Sequence, residues 1–192
     1  CLQGIIQPGE FCSGKLLINN KTYDLSNTND RDTLRNQSRI LCQSFDSMLV
    51  SKFSGFENLA FAHFEQNPGL SLVKINKKEQ TLNHRFKLPL EKEVGLMSGG
   101  QRQMLALLMV TQKPIDLLLL DEPTAALDSK NSDYVMQGIR TLAQEKNICI
   151  LCISHDADII KKYADYIITI AENKDSLKTF NVEKCVELEG CV

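Results

Sequence analysis

Residues 115–123 read IDLLLLDEP, a largely apolar run that ends in two carboxylates and a proline. Such a run is typical of a strand that is buried on both faces of a parallel sheet. A second buried strand is predicted at 148–153 and a third strand at 166–171, with helical patterns between them. This alternation predicts a doubly wound α/β sheet, in which ligands bind at the carboxyl ends of the strands.

The N-terminal half has a less regular pattern. Strand signals at 16–19 and 21–25 flank a polar Asn-Asn pair and predict a hairpin. A polar stretch with a short helix is expected at 26–38, followed by a brief strand at 39–42. From 44 to 97 the pattern is helical and irregular.

Three further helices are predicted from local sequence patterns. Ser98 is of the type that caps a helix N-terminus, and it predicts a helix through residues 104–111. Asp128 or Ser129 is expected to cap the helix after the first parallel strand. A more solvated helix is expected at 74–88.

Composition limits the possible classes of protein. The chain has 192 residues, 43% hydrophobic and 24% charged, which is average for one globular domain or one with a small subdomain. Its net charge of −2 argues against nucleic-acid binding through a basic surface. No apolar run approaches the ~18 residues of a membrane helix, and the N-terminus lacks a signal-peptide pattern. Because the first residue is Cys1 and not Met, we expect a chain cut from a longer one.

Seven cysteines without an export signal favour free thiols in a reducing compartment. Cys149 and Cys152 form a C-x-x-C pattern, which metal sites and redox sites share. Because residues three apart on a strand point to opposite faces, their thiols are not expected to converge on one metal. No second C-x-x-C or nearby His pair completes a zinc set, so we predict packed core cysteines.

Two carboxylates, Asp121 and Glu122, directly follow the first predicted parallel strand. Adjacent side chains at that place point in different directions and can serve two roles. One can hold hydrated Mg²⁺, a hard cation that prefers oxygen ligands, and the other can orient or deprotonate a water. Acidic residues that only cap the turn into the next helix are the structural alternative.

Two other segments place polar groups where a ligand could lie. His155 follows the strand predicted at 148–153, where an imidazole can donate to a phosphate oxygen. Ser98, Gly99 and Gly100 open a predicted helix, whose backbone N–H groups and dipole favour an anion. A solvated histidine and a serine-capped helix entry are the structural alternatives.

Together these segments resemble one family closely, the ATP-binding cassette (ABC) ATPases. Residues 98–103 (SGGQRQ) resemble its signature, and residues 117–123 resemble its Walker B segment with the following glutamate. Residues 126–128 (ALD) are similar to its D-loop, and residues 154–156 (SHD) to its switch-histidine loop. Gln43 resembles its Q-loop glutamine. Along the chain these five motifs follow the family's order from residue 43 to residue 156, which makes the resemblance specific.

The resemblance implies a P-loop NTPase-type α/β fold, truncated at its N-terminus, with a parallel sheet and an inserted helical subdomain. It divides the chain into four parts. Residues 1–43 would be the remnant of an antiparallel hairpin region, and residues 44–97 the helical subdomain. Residues 98–175 would form the catalytic core, and residues 176–192 a C-terminal tail.

The resemblance also implies roles in hydrolysing ATP with Mg²⁺. Asp121 would position Mg²⁺ through water with help from Gln43, and Glu122 would be the general base for the attacking water. His155 would contact the γ-phosphate, and Asp128 would link two sites across a dimer. The signature would bind the γ-phosphate of a nucleotide held mainly by an opposing cassette. Its residues are Ser98, Gly99, Gly100 and Gln101.

The family further implies partners. They are a second ABC cassette, in a homodimer or heterodimer, and a transmembrane permease, with a solute-binding protein as a possible third component. The protein would lie on the cytoplasmic, inner face of the cell membrane, with residues 44–64 against the permease. Members that act in DNA repair carry long coiled coils, and translation-type members carry two cassettes and basic linkers. This chain has neither pattern, which favours transport and no nucleic-acid partner.

One expected motif has no convincing match. A P-loop, G-x-x-x-x-G-K-[ST], belongs between a strand and a helix. Residues 9–15 (GEFCSGK) fit its first seven positions, but Leu16 stands where a Mg²⁺-binding hydroxyl belongs. Lys15 also runs into a predicted strand and not into a helix. We therefore interpret the match as accidental and expect the true P-loop before Cys1, so that the chain alone binds ATP weakly and is inactive.

Two interpretations stay open at this point. In the first, the chain belongs to a catalytic ABC ATPase subunit that couples ATP hydrolysis to solute transport, with import favoured over export. In the second, it is a non-catalytic, cassette-like partner without a P-loop that supplies only a signature face or a protein contact. The presence of Glu122, His155 and the signature favours the first.

Overall fold

The computed structural model describes residues 14–64, 86–125, 127–172 and 178–185. The chain divides into two units, Cys1–Ile153 and Ser154–Val192. Among the described residues, no helix is long and apolar enough to cross a membrane.

The described part of the first unit begins with an antiparallel hairpin of β1 (Lys15–Ile18) and β2 (Lys21–Asp24). Its turn residues, Asn19 and Asn20, have φ angles of 48° and 62°. Asparagine tolerates this left-handed region better than most residues, and two such residues give the turn whose twist suits a hairpin. The predicted hairpin is confirmed.

The polar stretch after the hairpin forms α1 (Thr28–Asn36), whose N-terminus is capped by the Asn27 side chain. Parallel strand β3 (Ser38–Leu41) follows. Both elements lie within the predicted ranges or one residue from them. Leu34 of α1 is fully buried in a small core that it shares with residues of the hairpin.

The helical region that follows is described only in part. It contains a 3₁₀ turn at Phe45–Met48, helix α2 (Gly55–Phe64) and a second 3₁₀ turn at Val94–Leu96. Most of the helix expected at 74–88 lies outside the described residues, since residues 65–85 are not among them.

Helix α3 (Gly99–Val110) lies at the centre of the first unit. Its residues from Gln103 to Met109 are all buried, so the helix is covered on every side and not along one stripe. Ser98 caps the helix as predicted. Its hydroxyl accepts from the Gln101 N–H, and the Gln101 side-chain oxygen accepts from the Ser98 N–H, at 3.3 and 3.0 Å.

Three parallel strands form the sheet of the first unit. Strand β4 (Leu117–Asp121) lies between β3 and β5 (Cys149–Ile153). Helix α4 (Ser129–Lys146) connects β4 to β5, and the Asp128 side chain caps its N-terminus. The parallel sheet, its crossover helix and the cap agree with the prediction.

Strand β5 is less buried than predicted. Within the described residues it lies at the edge of the sheet, and no described strand pairs with its outer side. Cys149 is exposed, Cys152 is half-buried and Ile153 is 63% exposed. The prediction of two packed core cysteines is therefore wrong for Cys149 and only partly right for Cys152. The described residues contain no group of three or more His, Cys, Asp or Glu side chains that could enclose a metal ion.

The second unit contains α5 (Ala157–Tyr163), capped by Asp156, and strands β6 (Tyr166–Glu172) and β7 (Lys178–Lys184). The third predicted strand is thus present. In the part of the chain that the structure describes, however, it pairs antiparallel with β7 and does not extend the parallel sheet. Strand β7 also lies within the range expected as a tail, and its β-branched and aromatic residues suit a paired strand.

Candidate active site

The register of the parallel sheet brings three predicted site residues to one edge. Leu41 of β3 pairs with Leu120 of β4. Gln43 lies just beyond the first of these residues, and Asp121 and Glu122 just beyond the second. Parallel strands that lie side by side end at the same edge of a sheet. Gln43, Asp121 and Glu122 therefore lie at one edge, where two adjacent strands end. Gln43 and Asp121 are exposed there, whereas Glu122 is half-buried.

Glu122 has an unusual backbone conformation. Its φ angle is 50°, in the left-handed region, which for a residue with a Cβ carries about 1–2 kcal/mol of strain. Two hydrogen bonds hold it: its N–H donates to the Ile153 carbonyl at 2.8 Å, and its own carbonyl accepts from Ala125 N–H at 3.0 Å. Strain that the surrounding structure maintains in this way is concentrated at functional sites.

The charges of the two carboxylates reach the neighbouring strand. Burial of the Cys152 thiol raises its pKa to about 11, and the negative charges of Glu122 and Asp121 are the smaller causes of that increase. Cys152 is therefore a protonated thiol near neutral pH. The negative character of this sheet edge is what a divalent cation would neutralise.

These donors suit Mg²⁺ better than zinc. Mg²⁺ keeps several of its waters and usually takes only one or two protein carboxylates, which Asp121 and Glu122 can supply. A structural zinc ion takes four side-chain ligands, and the described residues offer no such group.

The second part of the candidate site is the start of α3. The Ser98 hydroxyl accepts one hydrogen bond in the helix cap and keeps its own hydrogen to donate. The first N–H groups of a helix have no backbone acceptor within it, and here they belong to Gly99, Gly100 and their successors. This end of α3 can therefore donate several hydrogen bonds to an anion.

The start of α3 packs against the start of α4. A Cβ atom added at Gly100 would lie 3.0 Å from Asn131 Oδ1, closer than ordinary contacts allow. Asn131 in turn donates to the Asp128 carboxylate twice, from its backbone N–H at 2.9 Å and from Nδ2 at 2.8 Å. These two hydrogen bonds hold the pKa of Asp128 below its usual range. The signature and D-loop segments predicted from sequence thus lie side by side.

Helix α3 also contacts the 3₁₀ turn that follows Gln43. Arg102 Nε donates to Asp46 Oδ1 at 2.9 Å, and Arg102 Nη1 donates to the Met97 carbonyl at 3.0 Å. The sequence pattern did not single out Arg102, Asp46 or Asn131. Their contacts join segments far apart in the chain, and the only local signal was an Asn three residues after a capping Asp.

Two further predictions concern His155 and the P-loop match at 9–15. His155 belongs to the second unit, where it is exposed and precedes the helix-capping Asp156; its role in the site stays a prediction. Most of the match at 9–15 lies outside the described residues. Lys15 is described, and it begins β1 and not a helix, as expected for an accidental match.

A family model described as ABC transporter matches residues 1–125, well over half of the chain. The chain belongs to the ABC transporter family. A search of curated proteins finds similar ATP-binding proteins of transporters. The energy-coupling factor transporter ATP-binding protein EcfA2 of Ligilactobacillus salivarius is 28% identical over 177 residues, which are 90% of this chain and 59% of that protein. The phosphonates import ATP-binding protein PhnC 1 of a Ruegeria species is 24% identical over 88% of this chain and 66% of that protein.

A solved structure also supports this family assignment. That structure is cbiO1 from Clostridium perfringens, described as part of the ABC transporter complex cbiONQ. It matches with a TM-score of 0.68 and 27% identity, over 87% of this chain and 64% of that one. The predicted family and the P-loop NTPase-type α/β fold are confirmed. The chain spans between 59% and 66% of the length of the two curated relatives.

Proposed function

We propose that this ABC family chain acts as the ATP-binding and ATP-hydrolysing subunit of a transporter that imports a solute. The observation that carries the proposal is the placement of Gln43, Asp121 and Glu122 beyond adjacent strand ends of one parallel sheet. Polar groups of these types at a sheet edge are what phosphoryl transfer requires, since its catalysis consists mainly of positioning and charge stabilisation.

The proposed chemistry divides the work among the side chains of this edge. Asp121 holds Mg²⁺ through water, and Gln43 helps to order the ion and the attacking water. When bound, Mg²⁺ neutralises charge on the phosphates. Glu122 accepts the proton of the attacking water, and its fixed backbone limits the directions in which its carboxylate can point. The family resemblance assigns the contact with the γ-phosphate to His155, outside this edge of the described sheet.

The start of α3 serves a second nucleotide. Its hydrogen-bond donors belong to Ser98, Gly99, Gly100 and Gln101. In the proposal they bind the γ-phosphate of an ATP held mainly by an opposing cassette, with Asp128 linking the two sites. The partner is a second cassette, identical or related, so that each chain completes the site of the other.

An apolar groove supports a permease as the other partner. The groove has a volume of about 290 Å³ and lies among β3, α2 and the end of α3. Its lining residues are Arg39, Met48, Phe61, Ala62, Met109, Val110 and Lys113. Phe53 and Phe56, 42% and 37% exposed, belong to the same helical region. A helix from a membrane subunit could bury this apolar surface, which would hold the chain at the cytoplasmic face of the membrane.

The permease contact is tested by replacing Phe53 or Phe56 with alanine in the full-length protein. We expect solute uptake to fall severalfold while ATP hydrolysis by the cassette alone is kept. The matched control is Leu17→Ala, because Leu17 is an exposed apolar residue of β1 outside this region. Uptake that is unchanged in both phenylalanine variants would contradict the proposed contact.

The ATPase function is tested with a pair of variants on one strand. Asp121 ends β4, and Asp116 precedes its first residue, so Asp121→Asn and Asp116→Asn make the same chemical change at opposite ends. We expect Asp121→Asn to abolish Mg²⁺-dependent ATP hydrolysis by the full-length protein and Asp116→Asn to preserve it. A full-length protein that binds no ATP yet associates with another cassette would favour the non-catalytic alternative.

A further inference from the structure

Asn131, on the first turn of α4, contacts two segments that the proposed function assigns to the dimer-facing side of the chain. If Gly100 carried a Cβ atom, that atom would lie only 3.0 Å from Asn131 Oδ1. Its Nδ2 donates to the Asp128 carboxylate at 2.8 Å. One amide therefore touches the start of α3 and the acidic residue before α4.

The close approach of these segments depends on the two glycines. A Cβ on Gly99 would lie 3.1 Å from Leu127 Cδ2, so each glycine faces one residue of the segment from Leu127 to Asn131. Because glycine has no Cβ, the side chains of Leu127 and Asn131 can lie close to the α3 backbone at these two positions. The start of α3 and the start of α4 are thus packed directly on one another.

The side-chain contact of Asn131 is additional to ordinary helix capping. A capping aspartate needs only a backbone N–H from the first turn, and Asp128 already receives that bond at 2.9 Å. The Nδ2 bond holds the second carboxylate oxygen, so both oxygens of Asp128 are bound by Asn131. The direction of this exposed carboxylate is fixed by the same amide that packs against Gly100.

We propose that Asn131 is a positioning residue that holds Asp128 and the signature glycines as one block facing the second cassette. The inference rests on the proposed function, because Asp128 and the signature act there on a nucleotide shared between two chains. Asn131 itself does not contact the nucleotide in this arrangement. It acts by keeping the distance between two groups that must engage the partner together.

The expected consequence is a loss of apparent ATP affinity. When the Asn131 side chain is removed, the two groups engage the opposing site less well, whereas Glu122 and its hydrogen bonds are untouched. We expect Asn131→Ala to raise the KM for ATP about threefold to tenfold, as for the loss of one hydrogen bond, and to change kcat by less than about twofold.

The test is a double-mutant cycle in the full-length protein, with Gly100→Ala, Asn131→Ala and the combination of both. In Gly100→Ala the new methyl group meets Asn131 Oδ1, and removal of the amide relieves that contact, since the Asn131 Cβ lies at 3.4 Å. The matched control is Asn29→Ala, an exposed asparagine on the first turn of α1. Thermal unfolding without ATP and the KM for ATP are both measured.

Three results decide the matter. We expect Gly100→Ala to lower the midpoint of unfolding and to raise the KM for ATP. Both effects should be larger when Asn131 is present than in the Asn131→Ala background. The control Asn29→Ala should change neither quantity. Additive effects on the KM, in a protein that does hydrolyse ATP, would overturn the inference and leave the proposed function standing. Absence of ATP hydrolysis in the unaltered full-length protein would overturn the proposed function and the inference with it.

Discussion

Asn58 of α2 holds the loop that carries part of the proposed permease surface. It is 1% exposed, and its Oδ1 accepts from the Val50 N–H at 2.8 Å. Its Nδ2 donates to the carbonyls of Val50 and Ser54 at 3.1 and 3.0 Å. These three hydrogen bonds join the loop that contains Phe53 to the helix, so one buried amide supplies three of the contacts that hold the loop.

Replacement of Asn58 by alanine removes all three bonds. Each is worth about 0.5–1.5 kcal/mol net, and the partners that stay buried lose more, so the expected loss is about 2–4 kcal/mol. For a protein of this size, 1 kcal/mol corresponds to about 2–4 °C in the midpoint of thermal unfolding. We therefore expect that midpoint to fall by roughly 5–15 °C.

The assay compares Asn58→Ala with Asn29→Ala in the full-length protein by thermal and urea unfolding. Asn29 is exposed, so its replacement is expected to change the midpoint by no more than about 1–2 °C. If the midpoint of Asn58→Ala is also within that range, the three hydrogen bonds do not hold the loop, and the reasoning is refuted.

Two further predictions concern buried polar groups. Gln103 is 2% exposed, and within the described residues its Oε1 accepts no hydrogen bond. Because Gln103→Met removes this unsatisfied oxygen, it should raise the free energy of unfolding by about 1 kcal/mol. A lower midpoint of thermal unfolding would contradict this prediction. Burial and the nearby carboxylates raise the pKa of Cys152 from 9.0 to about 11. The neutral thiol therefore contributes its full stability below pH 9, and this contribution is lost as the pH rises through 11. Alkylation of Cys152 should accordingly be slow at pH 8 and faster in Glu122→Gln, as measured by mass spectrometry; equal rates would contradict the charge effect.

Several features could be predicted from sequence because their causes are local. The Asn-Asn turn, the Ser98 cap and the Asp128 cap depend on residues within a few positions of one another. The leucines of β4 predict a buried parallel strand by composition alone. Asp121 and Glu122 could be assigned to the sheet edge because a strand ends where its apolar run ends.

Other features depend on which segments meet in space. Cys149 is exposed on β5, an edge strand within the described part of the chain, and an apolar run does not reveal an edge position. The antiparallel partner of β6 was missed because the alternation of strands and helices predicted one continuous sheet. Asn131 and Gly100 are 31 positions apart in the sequence and lie on different helices. No local pattern encodes their contact.

The most direct test of the central claim measures phosphate release from ATP by the full-length protein and its Glu122→Gln variant. Loss of a general base lowers a rate by about 10²–10⁴-fold. We expect a decrease of that size in kcat with ATP binding retained, while Glu91→Gln, at an exposed glutamate outside the site, keeps the normal rate. Phosphate release that is equally fast in the Glu122→Gln variant would contradict the assignment of this sheet edge as the hydrolytic site.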